Sequence, residues 1–124
     1  LISENFVGFM KNSLEEFKVK PERIILEITE DIMIEGIETV NGLIRSLKQM
    51  GLKISLDDFG SGYSSLNYLT IMDIDELKID KSFVDQLESN EKICIMLELL
   101  IKFSKAYNLD IVAEGVETKE VHFP

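Results

Sequence analysis

Apolar residues recur along this chain with two alternating periods. Phe6, Phe9, Met10, Leu14 and Phe17 return every three or four positions, which predicts an amphipathic helix over residues 3–17. Pro21 marks the turn after it, and Ile24–Ile28 is an apolar run of strand length interrupted by Glu27. Helical spacing resumes at Ile34, Ile37, Val40, Ile44 and Leu47, predicting a helix from Ile34 to about Met50. Gly36 weakens its start and Gly51 is suited to end it. From Lys53 the period drops to two. Ile54 and Leu56 alternate with Ser55 and Asp57, a second strand that ends on two adjacent carboxylates, Asp57 and Asp58. Leu66–Leu69 suits a short helical turn, Glu76–Asp80 a third strand, and Ser82–Leu87 another short helical piece. Ser89 or Asn90 caps a long helix through Ile93, Leu97, Leu100, Ile101 and Ser104, with a left-handed stop at Asn108. Asp110–Glu114 is the fourth strand.

Strands alternating with helices of this length predict an α/β fold with parallel pairing. A closed parallel (β/α) barrel of TIM type takes about 250 residues. With 124 residues and four predicted strands, the chain reads as an incomplete half-barrel. Each strand carries polar groups toward its C-terminal end: Glu27, Asp57 with Asp58, Lys78 with Asp80, and Glu114. Parity sets Asp57, Lys78, Asp80 and Glu114 on the face opposite Ile54, Leu56, Leu77, Ile79 and Ile111. Helices cover the apolar face, so the charged set faces inward at the end where parallel barrels build their active sites. A single charge at a strand end is ordinarily just solvated, and Asp57–Gly62 taken alone reads first as a turn. The repetition over four strands is what points to a site.

Composition narrows the chemistry. Hydrophobic residues make up 45% and charged residues 29%, the balance of a folded domain. The net charge of −10, with no run of Lys or Arg, argues against a DNA or RNA duplex as partner. Acidity does not exclude a phosphate ligand, because a metal ion can supply the positive charge. The single cysteine, Cys94, sits in a helical apolar pattern as a small buried residue, and the single histidine, His122, reads as solvated. No apolar run reaches membrane-spanning length and the start does not read as a signal peptide. The expectation is a cytoplasmic segment without membrane contact of its own, free or as the cytoplasmic part of a membrane-anchored protein. Glu27, Asp57, Asp58 and Glu114 offer only oxygen ligands, with no His or Cys pair, which suits Mg²⁺ or Mn²⁺ better than zinc. Adjacent carboxylates repel, and a divalent cation reverses that repulsion by binding both. Several carboxylates can hold two cations roughly 3.5–4 Å apart, the arrangement used for phosphodiester cleavage. Lys78 has two readings: it offsets charge on a phosphate or holds a water, or it makes an internal ion pair with one of these carboxylates.

Four segments carry a family resemblance. Leu26–Glu30, Asp57–Leu66, Leu77–Val84 and Val112–Thr118 resemble, in order and register, successive motifs of the EAL domain, so that residues 1–124 are identified as part of one such domain. The resemblance implies a (β/α) barrel and a Mg²⁺- or Mn²⁺-dependent phosphodiesterase. Such an enzyme opens the bacterial second messenger cyclic di-GMP to linear pGpG by attack of metal-bound water. It implies Glu27 as a ligand of the first metal, Asp57 as a bridge between two metals, and Asp58 as a ligand of the second. Lys78 contacts the attacking water or the phosphate, and Glu114 binds the second metal or acts as general base. Glu30 holds the loop that begins at Phe59, Gly60, Ser61 and Gly62, which couples the site to dimerisation; the two glycines provide mobility. Glu117 lies at the edge of the site. The resemblance starts after the family's opening Glu-Ala-Leu strand and the Asn-containing strand that follows, and stops near Glu120. The expectation is therefore a partial barrel lacking at least two metal ligands. Its open edges are covered by the rest of a longer chain, by a second copy in a homodimer, or by another protein. The alternative to an active enzyme is a truncated, inactive module that binds cyclic di-GMP or associates with a partner.

Overall fold

A computed structural model describes residues 4–60 and 66–113. Four strands, β1 (Ile25–Thr29), β2 (Lys53–Phe59), β3 (Glu76–Ile79) and β4 (Asp110–Ala113), form one sheet in the order β1-β2-β3-β4. Every neighbouring pair is parallel. Helix α1 (Glu4–Glu16) precedes the sheet. Helix α2 (Ile37–Gln49) connects β1 to β2, α3 (Leu66–Ile71) connects β2 to β3, and α4 (Lys81–Asp85) with α5 (Glu91–Tyr107) connects β3 to β4. This is the predicted α/β order, a section of a parallel barrel.

The apolar parity of the strands decides which face is closed. Ile28, Ile54, Leu56, Leu77 and Ile79 are 0–7% exposed and pack with Val40, Leu43, Ile44 and Leu47 of α2 and Leu97 and Leu100 of α5. Full burial of such a side chain stabilises by about 1.5–3 kcal/mol. On the other face Ile25 is 52% and Val112 37% exposed. The sheet therefore has a dry, helix-covered face and an open face that carries the charged residues.

The main differences from the sequence expectation lie in α1, α2, β2 and β3. In α1 only Phe6, Val7, Met10 and Leu14 turn toward the core, while Phe9 and Phe17 are exposed. Phe9 lies on the opposite side of the helix, and Phe17 falls beyond its end, where Lys18 adopts φ 54°. Helix α2 begins at Ile37 rather than Ile34, because Gly36 has φ 96° and interrupts the ladder. A 3-10 turn, Glu30–Glu35, occupies the residues before it. β2 does not stop at Asp57 and Asp58 but continues to Phe59. Asp80 leaves β3 to cap α4, accepting hydrogen bonds from the Ser82 N–H at 2.9 Å and the Ser82 hydroxyl at 2.6 Å. The end of α5 is as expected: Asn90 caps its start and Asn108, at φ 56°, closes it.

The N-terminal ends of the strands are tied together by one aspartate. Asp75 Oδ2 accepts the Ile54 N–H at 2.8 Å, and the Asp75 N–H returns a bond to the Ile54 carbonyl at 2.8 Å. The Asp75 carbonyl takes the Asp110 N–H at 3.0 Å. Lys48, in the last turn of α2, donates to Asp75 Oδ1 at 3.0 Å and lies 3.2 Å from Asp73. Burial acts to lower the Lys48 pKa, but the bonds and charges of Asp75 and Asp73 outweigh it and hold that pKa above its ordinary 10.5.

Candidate functional site

The other end of the sheet is built around an irregularity in β2. Thr29 of β1 stands beside Asp57, and Leu56 of β2 pairs with Leu77 of β3. The next paired residues are Phe59 and Ile79, so Asp57 and Asp58 together stand opposite Lys78 alone. This is a β-bulge: one extra residue on one strand, with a local bend. Asp58 takes the positive φ the bulge requires, 60°, a conformation that Asp tolerates better than most residues. Its N–H donates to Asp57 Oδ1 at 2.9 Å, closing the bulge on itself. In a regular strand Asp58 would share the parity of Leu56 and point into the helix layer. The bulge returns Phe59 to that layer, where it is 2% exposed, and frees both carboxylates from it. Gly60 follows at φ 94°, and a Cβ there would lie 2.7 Å from the Phe83 ring. Positive φ and the approach of Phe83 both demand glycine.

Two strands away, Lys78 Nζ donates to Glu27 Oε1 at 2.6 Å, across the line of β2. Of the two sequence readings of Lys78, the structure contains the ion pair. Glu27, Asp57, Asp58 and Lys78 thus meet at the C-terminal end of the open face. Glu114, Glu117, Ser61 and Gly62, and the Glu30 side chain, lie outside the described residues. On the same face, Ser55 is fully buried and donates to Glu76 Oε1 at 2.9 Å.

The electrostatics are those of a crowded carboxylate group. Desolvation raises the Asp58 pKa above its usual 3.8, and the charges of Asp57, Asp80, Asp31 and Glu27 raise it further. Asp80 is held below 3.8 by the Ser82 hydroxyl and N–H bonds, and so remains an anion. Asp31 was not among the predicted site residues, and Asp80, counted with the strand-end charges, was given no role of its own. Asp31 directly follows Glu30 at the end of β1, and that strand-end position was the signal available for it.

Among the described residues, no three carboxylate, histidine or cysteine side chains are gathered closely enough to hold a metal ion. The donor set nonetheless suits a hard divalent cation. Glu27, Asp57 and Asp58 supply only oxygen, and the desolvation and mutual repulsion that raise the Asp58 pKa are what a cation would offset.

Comparison with known proteins identifies the family. The family model of the EAL domain matches residues 1–122. The cyclic di-GMP phosphodiesterase PdeA of Borreliella burgdorferi is 38% identical over 121 residues, 98% of this chain and 18% of the relative. The crystal structure of the EAL domain of Mycobacterium smegmatis DcpA superposes with a TM-score of 0.83 at 37% identity, covering 98% of this chain and 54% of that one. Klebsiella pneumoniae BlrP1, solved as a manganese and cyclic di-GMP complex, superposes with a TM-score of 0.82 at 28% identity, covering 94% of this chain and 30% of that one. A BlrP1 structure with calcium is also similar. The chain spans less than a fifth of the curated relative's length and about half of the solved mycobacterial EAL domain.

Proposed function

Since this chain belongs to the EAL domain family, we propose that it carries the C-terminal part of a cyclic di-GMP phosphodiesterase site. The reaction is hydrolysis of one phosphodiester bond to give linear pGpG. One water is consumed: its oxygen forms a new bond to phosphorus, the bond from phosphorus to the ribose 3′ oxygen breaks, and that oxygen leaves with a proton. The observation that carries this reading is the bulge that sets Asp57 and Asp58 opposite Lys78, with Glu27 bonded to the same lysine.

In this reading Glu27, Asp57 and Asp58 would hold Mg²⁺ or Mn²⁺, and Glu114 would add a further carboxylate as ligand or general base. When bound, such ions offset the phosphate charge and acidify a water. Lys78 is positioned by Glu27 and supports the negative charge that grows on the phosphate oxygens. Buried Phe59, and Gly60 held close to Phe83, would anchor the start of the loop to which Ser61 and Gly62 are assigned. Glu30 steadies that loop, and Glu117 borders the site. Turnover belongs to the complete barrel, of which these strands are one part.

A second reading is favoured by the short Lys78–Glu27 pair, which engages one of the proposed ligands. In it the chain binds cyclic di-GMP or a partner without cleaving anything. Incubating the chain with cyclic di-GMP and Mn²⁺, followed by chromatography for pGpG, separates the two. Product that disappears with chelator supports the phosphodiesterase. Folded protein that yields no product, yet binds cyclic di-GMP, favours the binding module.

A further inference from the structure

Ser55 occupies an unusual place on the open face of the sheet. The register sets it in a row that crosses all four strands: Glu27 on β1, Ser55 on β2, Glu76 on β3 and Asp110 on β4. The other three members of the row are acidic. Ser55 is 0% exposed, on a face where Ile25 and Val112 are open to solvent. Ser104, the other buried polar residue among those described, donates to the Ile101 carbonyl of its own helix at 2.7 Å, a local bond of the kind serine commonly makes. Ser55 instead donates to a side chain on another strand, Glu76 Oε1, at 2.9 Å.

The consequence falls on Lys78. Glu76 and Lys78 share a face of β3 two residues apart, a separation of about 6.6 Å along a strand. Glu27 is two strands away, roughly 10 Å across the sheet. Glu76 is therefore the nearer carboxylate along the backbone, yet the ammonium bonds Glu27 at 2.6 Å. We propose that Ser55 is a positioning residue for the hydrolysis: its hydroxyl holds the Glu76 carboxylate toward β2, so that Lys78 reaches across β2 to Glu27 instead of folding back along β3. Two properties of serine suit it to this place. Its hydroxyl is a donor, and an ionised carboxylate only accepts. Its side chain is small, and leaves room over β2 for the lysine to cross. The role in turnover rests on the phosphodiesterase reading above; the choice of partner by Lys78 does not.

Crystal structures of the chain, of Ser55→Ala and of Ser55→Ala with Glu76→Ala test the choice of partner. The expected result is Lys78 on Glu27 in the unmodified chain, on Glu76 in Ser55→Ala, and back on Glu27 in the double variant. Lys78 found anywhere but on Glu76 in Ser55→Ala, or off Glu27 in the double variant, overturns the proposal. The same substitutions in a complete EAL barrel, assayed with cyclic di-GMP at saturating Mn²⁺, test the role in turnover. Ser55→Ala should lower kcat about tenfold with KM unchanged, and the double variant should recover it. A kcat that does not fall, or a fall that the second substitution does not recover, overturns the positioning role. Absence of turnover in the unmodified barrel would instead remove the phosphodiesterase reading, while the structures still decide which carboxylate Lys78 takes.

Discussion

The two ends of the parallel sheet use the same residue types to opposite effect. At the N-terminal end one lysine, Lys48, meets two carboxylates, Asp73 and Asp75, and Asp75 also satisfies the Ile54 backbone. The charges there stabilise one another, as the raised Lys48 pKa records. At the C-terminal end Lys78 is bonded to Glu27, while Asp57, Asp58, Asp80 and Asp31 crowd the same region. There desolvation first and then the neighbouring charges raise the Asp58 pKa, so the carboxylates work against one another. One end is a clip whose energy is realised on folding. The other gathers carboxylates whose mutual repulsion a bound cation would relieve, the difference expected between a binding site and a structural ion pair. The division matches the general asymmetry of parallel barrels, with stability at one end and chemistry at the other.

The contrast can be broken at either end. The largest effect is expected at the charged end. In a complete EAL barrel containing these residues, Asp57→Asn or Glu27→Gln should lower cyclic di-GMP turnover at least about 10²-fold, with little change in thermal melting. Turnover retained in both would remove the site assignment. At the other end Asp75→Ala should cost about 2–3 kcal/mol in urea unfolding, because the Ile54 N–H and Lys48 both lose an acceptor. Asp75→Asn, which keeps an oxygen for Ile54, should cost less.

A cation should separate the ends more finely. Mn²⁺ at a hundredfold excess over its dissociation constant is expected to stabilise the fold by about 2.7 kcal/mol, and Asp58→Asn should remove most of that gain. The smallest effects are in pH. Lys48 has a raised pKa in the folded state, so its contribution is complete below 10.5 and is lost as pH rises through the raised value. Lys48→Met should erase that alkaline decline. Asp58, also raised, has the opposite consequence for a carboxylate: its ionised form opposes folding, and metal-free protein gains stability as pH falls through the raised value toward 3.8. Asp58→Asn should abolish the gain. Unfolding curves taken across the pH range check both signs.

Much of this was legible in the sequence because it rests on local periodicity. The strand parity of Ile54, Leu56, Leu77 and Ile79, the Asn90 cap and the Asn108 stop all follow from neighbouring residues, and the structure keeps them. The grouping of Glu27, Asp57, Asp58 and Lys78 was legible because each lies near the end of its strand. What escaped was conformation set across strands. The bulge at Asp57 and Asp58 appears only when β2 is laid against β3, since alternation alone ended the strand at those carboxylates. The Asp75 clip joins residues 27 and 21 positions apart, a distance at which no helical or strand spacing signals contact. Phe9 and Phe17 were assigned to a buried face because the helix period was read without knowing where α1 meets the core.

The central claim is that the acidic end of the sheet, and not the clip, holds a divalent cation. Isothermal titration with Mn²⁺ of the unmodified chain, Asp57→Asn and Asp75→Asn tests it most directly, at a temperature where all three are folded. The account predicts that Asp57→Asn weakens binding at least tenfold and Asp75→Asn leaves it unchanged. Equal affinity in all three, or loss in Asp75→Asn alone, would contradict it.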